Sequence, residues 1–440
     1  MFRCECGRTL KSAQALAQHR NATKHNASSV PPTVPQPSSA AATWKASPPQ
    51  DQRDSWMWKK VNMSRPPHVI SVADLEPSPI SVTSDAVDKL VCTYNWQDSK
   101  EATIQIPGSA PIWTPVNLPI TLPQDKGTYY IDQNAGRVPD YPFEPLFRAA
   151  DAMKSDTRFD NVDVVINRNS LRKFLDLGGG AHKSSFCVNV AMVHNTMIVE
   201  RCEKSARDLI RGSGDSRWGH TFEKTFTKQP PHGAQSTQHH RVLQYNMGGL
   251  NCVVRFEVDG CYKPTDEPAD IGSDAFGQDL LVKLRDFAIN GLPSTQSTTG
   301  SSSRTGPSPE SSLKVMPQST AAEIKTCGKP RRLGKFMPQL WFGRTPWLIM
   351  GHHNQGTFHD VEITDVKSDF AAWETRHQAK LAKMVTLLTQ LRQSVQKAGS
   401  RRCVAIYEKK SSQLTVFEST ANKGALPDDI VRKFWGPAGS

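Results

Sequence analysis

The sequence predicts an α/β protein, helices and strands mixed in α+β fashion around a mixed sheet, behind a compact N-terminal module of ββα type. Three observations point there. Short β-rich runs such as Ala102-Thr103-Ile104-Gln105-Ile106 alternate with helical stretches between residues 68 and 292. Apolar residues across Phe370–Lys397 recur at spacings of three and four, the period of a helix with one buried face. The first 25 residues gather two cysteines and two histidines at short intervals.

The elements follow in order. Residues 1–26 form the N-terminal module, and 27–67, rich in Ser, Pro, Ala, Thr and Gln, reads as a disordered linker. The domain proper is expected over 68–436. Residues 146–153 read as helix, and 186–199 as a hairpin broken at His194-Asn195. The Phe370–Lys397 stretch carries Trp373, Leu381, Met384, Val385, Leu388, Leu391 and Val395 on one stripe, with Ser368 or Asp369 placed to cap it. Core packing explains such a stripe better than a partner surface does. Residues 403–417 alternate as a second hairpin around Lys410-Ser411-Ser412. Ser/Thr-rich residues 293–320 read as a disordered insertion within the domain, because lengthening a surface loop costs little entropy.

Across 440 residues the formal charge is +12, with 37% hydrophobic and 22% charged residues. That balance favours a polyanionic partner such as nucleic acid, plain solubility being the alternative. No run approaches the roughly 18 apolar residues that cross a bilayer, and Met1-Phe2-Arg3-Cys4 opens no signal peptide. A soluble, intracellular protein with no membrane partner is expected. Nine cysteines, an odd number spread along the chain, fit reduced thiols better than a disulfide framework. Lys329-Pro330-Arg331-Arg332 suggests nuclear import, with an RNA-facing patch and a cytoplasmic location as the alternative.

Cys4 and Cys6, then twelve residues to His19 and five more to His25, offer two thiolates and two imidazoles at near-standard zinc-finger spacing. Leu10 and Leu16 fall where so small a module needs apolar groups, and structural zinc would supply the folding energy it lacks. One residue separates the cysteines where two to four is usual, so the knuckle is tight. The competing reading is a basic tail with incidental Cys and His. A single finger reads about three base pairs, which suits an RNA or protein docking accessory better than a sequence-specific DNA reader.

The chemistry is carried by acids. Residues 250–259 read as one buried strand in which Glu257 and Asp259, two apart, project to one face. Glu323-Ile324-Lys325 reads as a second short strand presenting a carboxylate and an ammonium together. Paired carboxylates suit magnesium or manganese, and a neighbouring lysine orients or deprotonates an attacking water. Each tripeptide alone is as easily surface charge or a structural Lys–Glu pair. Their place at the end of an apolar strand weighs against that, since a buried carboxylate is costly without a metal or counter-charge.

Taken in order, Gly219-His220-Thr221-Phe222-Glu223, Glu257-Val258-Asp259, Glu323-Ile324-Lys325, and Gln339 followed by Trp347-Leu348-Ile349-Met350-Gly351 resemble the signature motifs of the DXO/Rai-type RNA 5′-end decapping nucleases. Residues 162–175, with Arg168, resemble that family's arginine motif, and the 186–199 hairpin stands where the family has one. The resemblance implies a PD-(D/E)xK-like nuclease core. Glu223, Asp259 and Glu323 would coordinate one or two magnesium or manganese ions, with Glu257 acting through a metal-bound water. Lys325 and Gln339 would hold the water nucleophile and the scissile phosphate. Arg168 would grip an RNA phosphate, a role suited to a planar, permanently charged guanidinium. Family members remove incomplete or unusual caps, and some degrade the exposed RNA 5′ to 3′. Three positions depart from the pattern. His220 replaces a hydrophobic residue, Asn169 follows Arg168 in place of glycine, and Pro338 precedes Gln339 where an aromatic-rich helix is usual, so substrate preference is expected to have drifted.

Two functions are therefore in play. One is a metal-dependent hydrolase acting on RNA 5′ ends, by decapping, pyrophosphohydrolysis or 5′ to 3′ exonucleolysis, with a 5′ to 3′ exoribonuclease as partner. The other is a catalytically inactive RNA-binding or scaffold protein that keeps the fold. A zinc-finger transcription factor ranks below both.

Overall fold

The computed structural model describes residues 2–3, 9–10, part of 12–19, and 52–437 except 86–87, 181, 212–216, 265–280, 284, 290–311, 330 and 410. The chain divides into two compact units, Met1–Trp44 and Lys45–Ser440. In the first, Phe2–Arg3 pairs antiparallel with Thr9–Leu10. His19 is described and half-buried, whereas Cys4, Cys6, His25 and Leu16 lie outside the described residues.

The second unit is built on two sheets. The larger runs Arg285–Ala288, Thr103–Ile106, Lys89–Gln97, Ser236–Met247, Leu250–Glu257, Val164–Asn167, Thr196–Arg201, Phe186–Val193, Arg402–Tyr407, Gln413–Glu418, His68–Ser71. Val164–Asn167 is parallel to both its neighbours, and the other pairings are antiparallel. Its Val-Val-Ile-Asn sequence is buried throughout, as a parallel strand covered on both faces requires. The smaller sheet runs Thr227–Lys228, Ile112–Trp113, Gly260–Cys261, Ala321–Cys327, Trp347–Asn354, Thr357–Asp365, Ile120–Thr121. The mixed α/β architecture is thus as the sequence foresaw.

The 186–199 hairpin forms, with His194 at φ 49° in its turn, and so does the hairpin joining Arg402–Tyr407 to Gln413–Glu418. Gly248 and Gly249, at φ 57° and 92°, make the turn into Leu250–Glu257, a conformation that a residue with a Cβ adopts only under strain. Phe370–Lys397 is one helix lying along the Arg168–Gly178 helix, and all seven predicted stripe residues are buried. Each such side chain contributes about 1.5–3 kcal/mol by leaving water. Asp369 takes the N-cap position, but contrary to expectation its side chain makes no capping hydrogen bond.

Three other expectations change. Of the linker expected over 27–67, residues 27–51 lie outside the described residues, whereas Gln52–Trp58 forms a 3-10 turn, and Met57 and Val61 are buried against Cys187, Val404, Ile406 and Phe417. Within 293–320, Ser312–Lys314 pairs with Leu281–Lys283, and Gln318–Thr320 forms a turn; 293–311 lie outside the described residues. The strand expected over 250–259 stops at Glu257, and Gly260–Cys261 already belongs to the smaller sheet, so Glu257-Val258-Asp259 is a covalent crossing between the two sheets. No described helix is long and apolar enough to cross a membrane.

Candidate active site and its arginine-lined cavity

The acids come from separate segments that the fold draws together. Gly219–Phe226 is a short helix anchored by Phe222 and Phe226, which stack on each other at 4.3 Å; Phe222 also stacks on Phe358 at 4.6 Å. Trp218 at its N-cap position offers no side-chain acceptor, and Asp125 serves instead, accepting from the backbone N–H of His220 (3.2 Å) and Thr221 (2.9 Å). This fixes the helix that carries Glu223. Asp259 accepts at Oδ2 from the Ile324 N–H and from Lys325 Nζ, both at 2.9 Å, which ties the inter-sheet crossing to Ala321–Cys327.

Glu323, 1% exposed, is the hub. Its Oε1 pairs with Lys325 and accepts from Gln339 Nε2, and its Oε2 pairs with Arg168 Nη1 at 3.2 Å. Gln339 Oε1 in turn accepts from Arg172 Nη1 at 3.0 Å. Arg168 and Arg172 stand one turn apart on the helix that follows Val164–Asn167, which places both guanidiniums on one side.

Charge states follow from this packing. Burial, reinforced by the neighbouring Asp259, pushes the Glu257 carboxyl up to about 8. Burial likewise raises Glu223 well above the usual range, with Asp259 adding to it, and raises Asp259, with Glu323 adding to it. Glu323 is the exception: burial opposes its ionisation, but Lys325 and Arg168 hold it down at about 2. Lys325 is desolvated as well, yet Asp259 and Glu323 keep it firmly protonated. Three of four carboxyls thus resist ionisation for want of positive charge.

A hard divalent cation would supply that charge, and an all-oxygen donor set suits magnesium or manganese. The described residues fit such an ion by chemistry and charge. Among them, however, no three His, Cys, Asp or Glu side chains stand as a ready-made cage, and Lys325 draws Asp259 and Glu323 to itself.

Beside the acids lies a cavity of about 290 Å³ at the carboxyl ends of Leu250–Glu257, Val164–Asn167 and Thr196–Arg201, lined by Arg168, Arg172, Arg201 and Arg255 with His240 and Glu257 among others. Arg255 is 2% exposed: its Nε donates to Asn167 Oδ1 at 2.9 Å, its Nη1 to the Pro142 carbonyl, and its plane covers Phe143. Its Nη2 has no hydrogen-bond partner among the described residues, nor have both ring nitrogens of His240, which is 5% exposed. Burial, then the nearby Arg255 and Arg168, push the His240 proton affinity well down, so the ring is neutral. Buried donors left unpaired in a cationic cavity are built to receive an oxyanion.

The sequence profile described as "Domain of unknown function (DUF8563)" matches residues 64–435. The chain belongs to the DUF8563 family. No curated protein matches it. Solved structures similar to this DUF8563 chain include S. pombe Rai1, at 12% identity and a TM-score of 0.51, covering 80% of this chain and 99% of that one. S. pombe Rai1 in complex with 3′-FADP gives a TM-score of 0.50 with the same identity and coverage. Scheffersomyces stipitis Rai1 in complex with (3′-NADP)+ and calcium ion also aligns at 12% identity and 0.50, over 81% of this chain and 94% of that one. The DUF8563 domain therefore has the Rai1 fold.

Glu223, Glu257, Asp259, Glu323, Lys325, Gln339 and Arg168, singled out from the sequence, do meet in the DUF8563 domain. Arg172, Arg255, His240 and Asp125 were missed. Arg255 was legible in principle, as a lone cation inside the apolar run Cys252-Val253-Val254-Arg255-Phe256, and Arg172 as a second guanidinium four residues after Arg168. His240 and Asp125 carried no such signal.

Proposed function

We propose that this DUF8563 chain is a metal-dependent hydrolase acting on RNA 5′ ends, as a decapping enzyme, pyrophosphohydrolase or 5′ to 3′ exonuclease. The observation that carries it is the convergence of Glu223, Glu257, Asp259 and Glu323 around Lys325, against a cavity in which Arg255 Nη2 and the His240 ring nitrogens have no hydrogen-bond partner among the described residues. The Rai1 structures support it, one holding 3′-FADP and another (3′-NADP)+ with calcium. Glu223, Asp259 and Glu323 would hold the ion, with Glu257 beside them. Magnesium or manganese bound there supplies Lewis acidity and charge neutralisation at a phosphoryl oxygen. The protein's own groups do the rest. Arg168 and Arg172 hold phosphate oxygens, the Lys325 ammonium and the Gln339 amide orient a water on the phosphorus, and the Glu257 carboxyl can hold the proton that a departing oxygen needs. A structural zinc at Cys4, Cys6, His19 and His25, an exoribonuclease partner and a nuclear location complete the proposal from the sequence alone.

The test incubates the protein with 5′-triphosphate, unmethylated-cap and NAD-capped RNA in magnesium or manganese. The wild type should release the end group, and the double change Glu257→Ala/Asp259→Ala should slow it at least about a hundredfold. No product from the wild type with either ion sinks the proposal. The second reading, a non-catalytic RNA-binding protein, is favoured by the Lys325 ammonium seated between Asp259 and Glu323. Calorimetry that finds RNA binding but no magnesium or manganese site would decide for it.

A further inference from the structure

Lys126–Tyr130 and Arg207–Arg211 form a two-stranded antiparallel ribbon that joins neither large sheet. Alternation along a strand sends Tyr129 and Tyr130 to opposite faces. Tyr129 stacks on His220, ring centroids 3.8 Å apart and planes within 5°, one helical turn from Glu223. Tyr130 lies among guanidiniums: Arg207 is 4.9 Å from its ring centroid and Arg137 5.7 Å, and Arg137 also covers Trp96 at 5.3 Å. Arg207 Nη2 donates to the Tyr130 hydroxyl at 3.0 Å.

Tyr130, Arg137 and Arg207 line an open cleft of about 650 Å³ in which Lys100 adds a third cation and Asp98 is the one acid among the lining residues. Gln133 and Gln238 line both this cleft and the arginine cavity, so the two adjoin. Cations interleaved with aromatic faces bind a single nucleic-acid strand: phosphates meet the cations and unpaired bases stack on the rings, whatever their sequence. A duplex keeps its base faces covered, and an acidic peptide has no rings to stack in series.

We infer that this ribbon is a stacking track for the single strand that runs on from a phosphate held in the arginine cavity. The inference rests on the RNA-end reading for the identity of the polymer, yet the track binds whether or not the strand is cut. Tyr130 and Arg207 set the grip on the nucleotides beyond the reacting phosphate, outside the catalytic cluster.

Fluorescence anisotropy on the full chain in EDTA, with 5′-phosphorylated oligouridines of two, four and eight nucleotides, tests it. Wild-type affinity should rise with length. Tyr130→Ala and Arg207→Gln should each weaken the eight-mer about tenfold, the worth of one stacked base, and leave the two-mer unchanged. Tyr130→Phe should keep the stack, and Arg207→Gln should flatten the salt slope by about 0.7. If Tyr130→Ala melts early, Tyr130→Phe and Arg207→Gln decide. Eight-mer binding equal in wild type and folded Arg207→Gln overturns the track, as does a duplex or an acidic peptide bound as tightly as the single strand. Cleavage assayed in parallel with magnesium separates the two claims: length-dependent binding without cleavage removes the hydrolase and keeps the track, and cleavage without length dependence does the reverse.

Discussion

Replacing Lys325 by methionine tests whether its ammonium stands in for a metal ion. Its Nζ lies 2.9 Å from Asp259 Oδ2 and bonds Glu323, which is 1% exposed; without it, the two buried carboxylates keep Arg168, 3.2 Å from Glu323, as the nearest counter-charge among the described residues. Breaking a buried pair costs about 3–5 kcal/mol. At about 2.1 cal/mol/K of unfolding entropy per residue over residues 64–435, the melting temperature should fall about 4–6 °C in EDTA. A divalent ion at a hundred times its Kd returns about 2.7 kcal/mol, more than half the loss, and should help Lys325→Met more than the wild type, where it must displace the ammonium. Thermal unfolding by circular dichroism, titrated with magnesium and manganese, reads both effects. The Glu323 share has its own pH signature. Its folded pKa, near 2, lies below the unfolded value of about 4.3, so the stability it confers is full above 4.3 and lost as pH falls through 2. In Lys325→Met the folded value rises toward the unfolded one, so that window narrows and the pH-dependent share shrinks. Equal melting temperatures in EDTA, or an equal metal response in both proteins, would refute the reasoning.

The remaining predictions test neighbouring groups. Glu257 is raised to about 8, so between about pH 4.3 and 8 the folded state holds a proton that the unfolded state has released, and metal-free stability should fall as pH rises through that window. Glu257→Gln should remove this slope, making the chain more stable than wild type in EDTA at pH 8.5, by up to about 5 kcal/mol, and equal to it near pH 4, by urea unfolding. Arg255→Lys and His240→Asn should each weaken binding of inorganic pyrophosphate about tenfold by calorimetry, because each loses a buried donor with no other partner. Gly351→Ala would set a Cβ 2.5 Å from the Phe222 ring and 3.0 Å from Phe358; the overpacking should cost about 1–3 kcal/mol of stability and, by shifting the helix of Glu223, slow RNA cleavage as well.

What the sequence disclosed depended on whether the physics was local. Phe370–Lys397 was legible because a period of three and four survives in any context, and the 186–199 hairpin because His194-Asn195 interrupts two β-branched runs. The acids were found through short motifs, each confined to a few consecutive residues. What escaped reading was set by distant partners. Arg172 meets Gln339 across 167 positions, and Asp125 caps a helix 95 positions away. Lys325 was read as an activator of water, but its first role in the fold is to neutralise Asp259 and Glu323. Nothing along 250–259 announces that the chain leaves one sheet for another at Val258, because apolar residues continue on both sides of the step. Nor did the Ser/Thr-rich composition of 293–320 disclose that Ser312–Lys314 would find Leu281–Lys283.

That step at Val258 has a mechanical side. Glu257 ends a strand of one β layer and Asp259 leads into a strand of the other, while Glu323 belongs to the second layer alone. An ion gripped by these carboxylates would act as a rivet through two plates, and binding should slow amide exchange along Leu250–Glu257 and Ala321–Cys327 together, even at amides far from the metal.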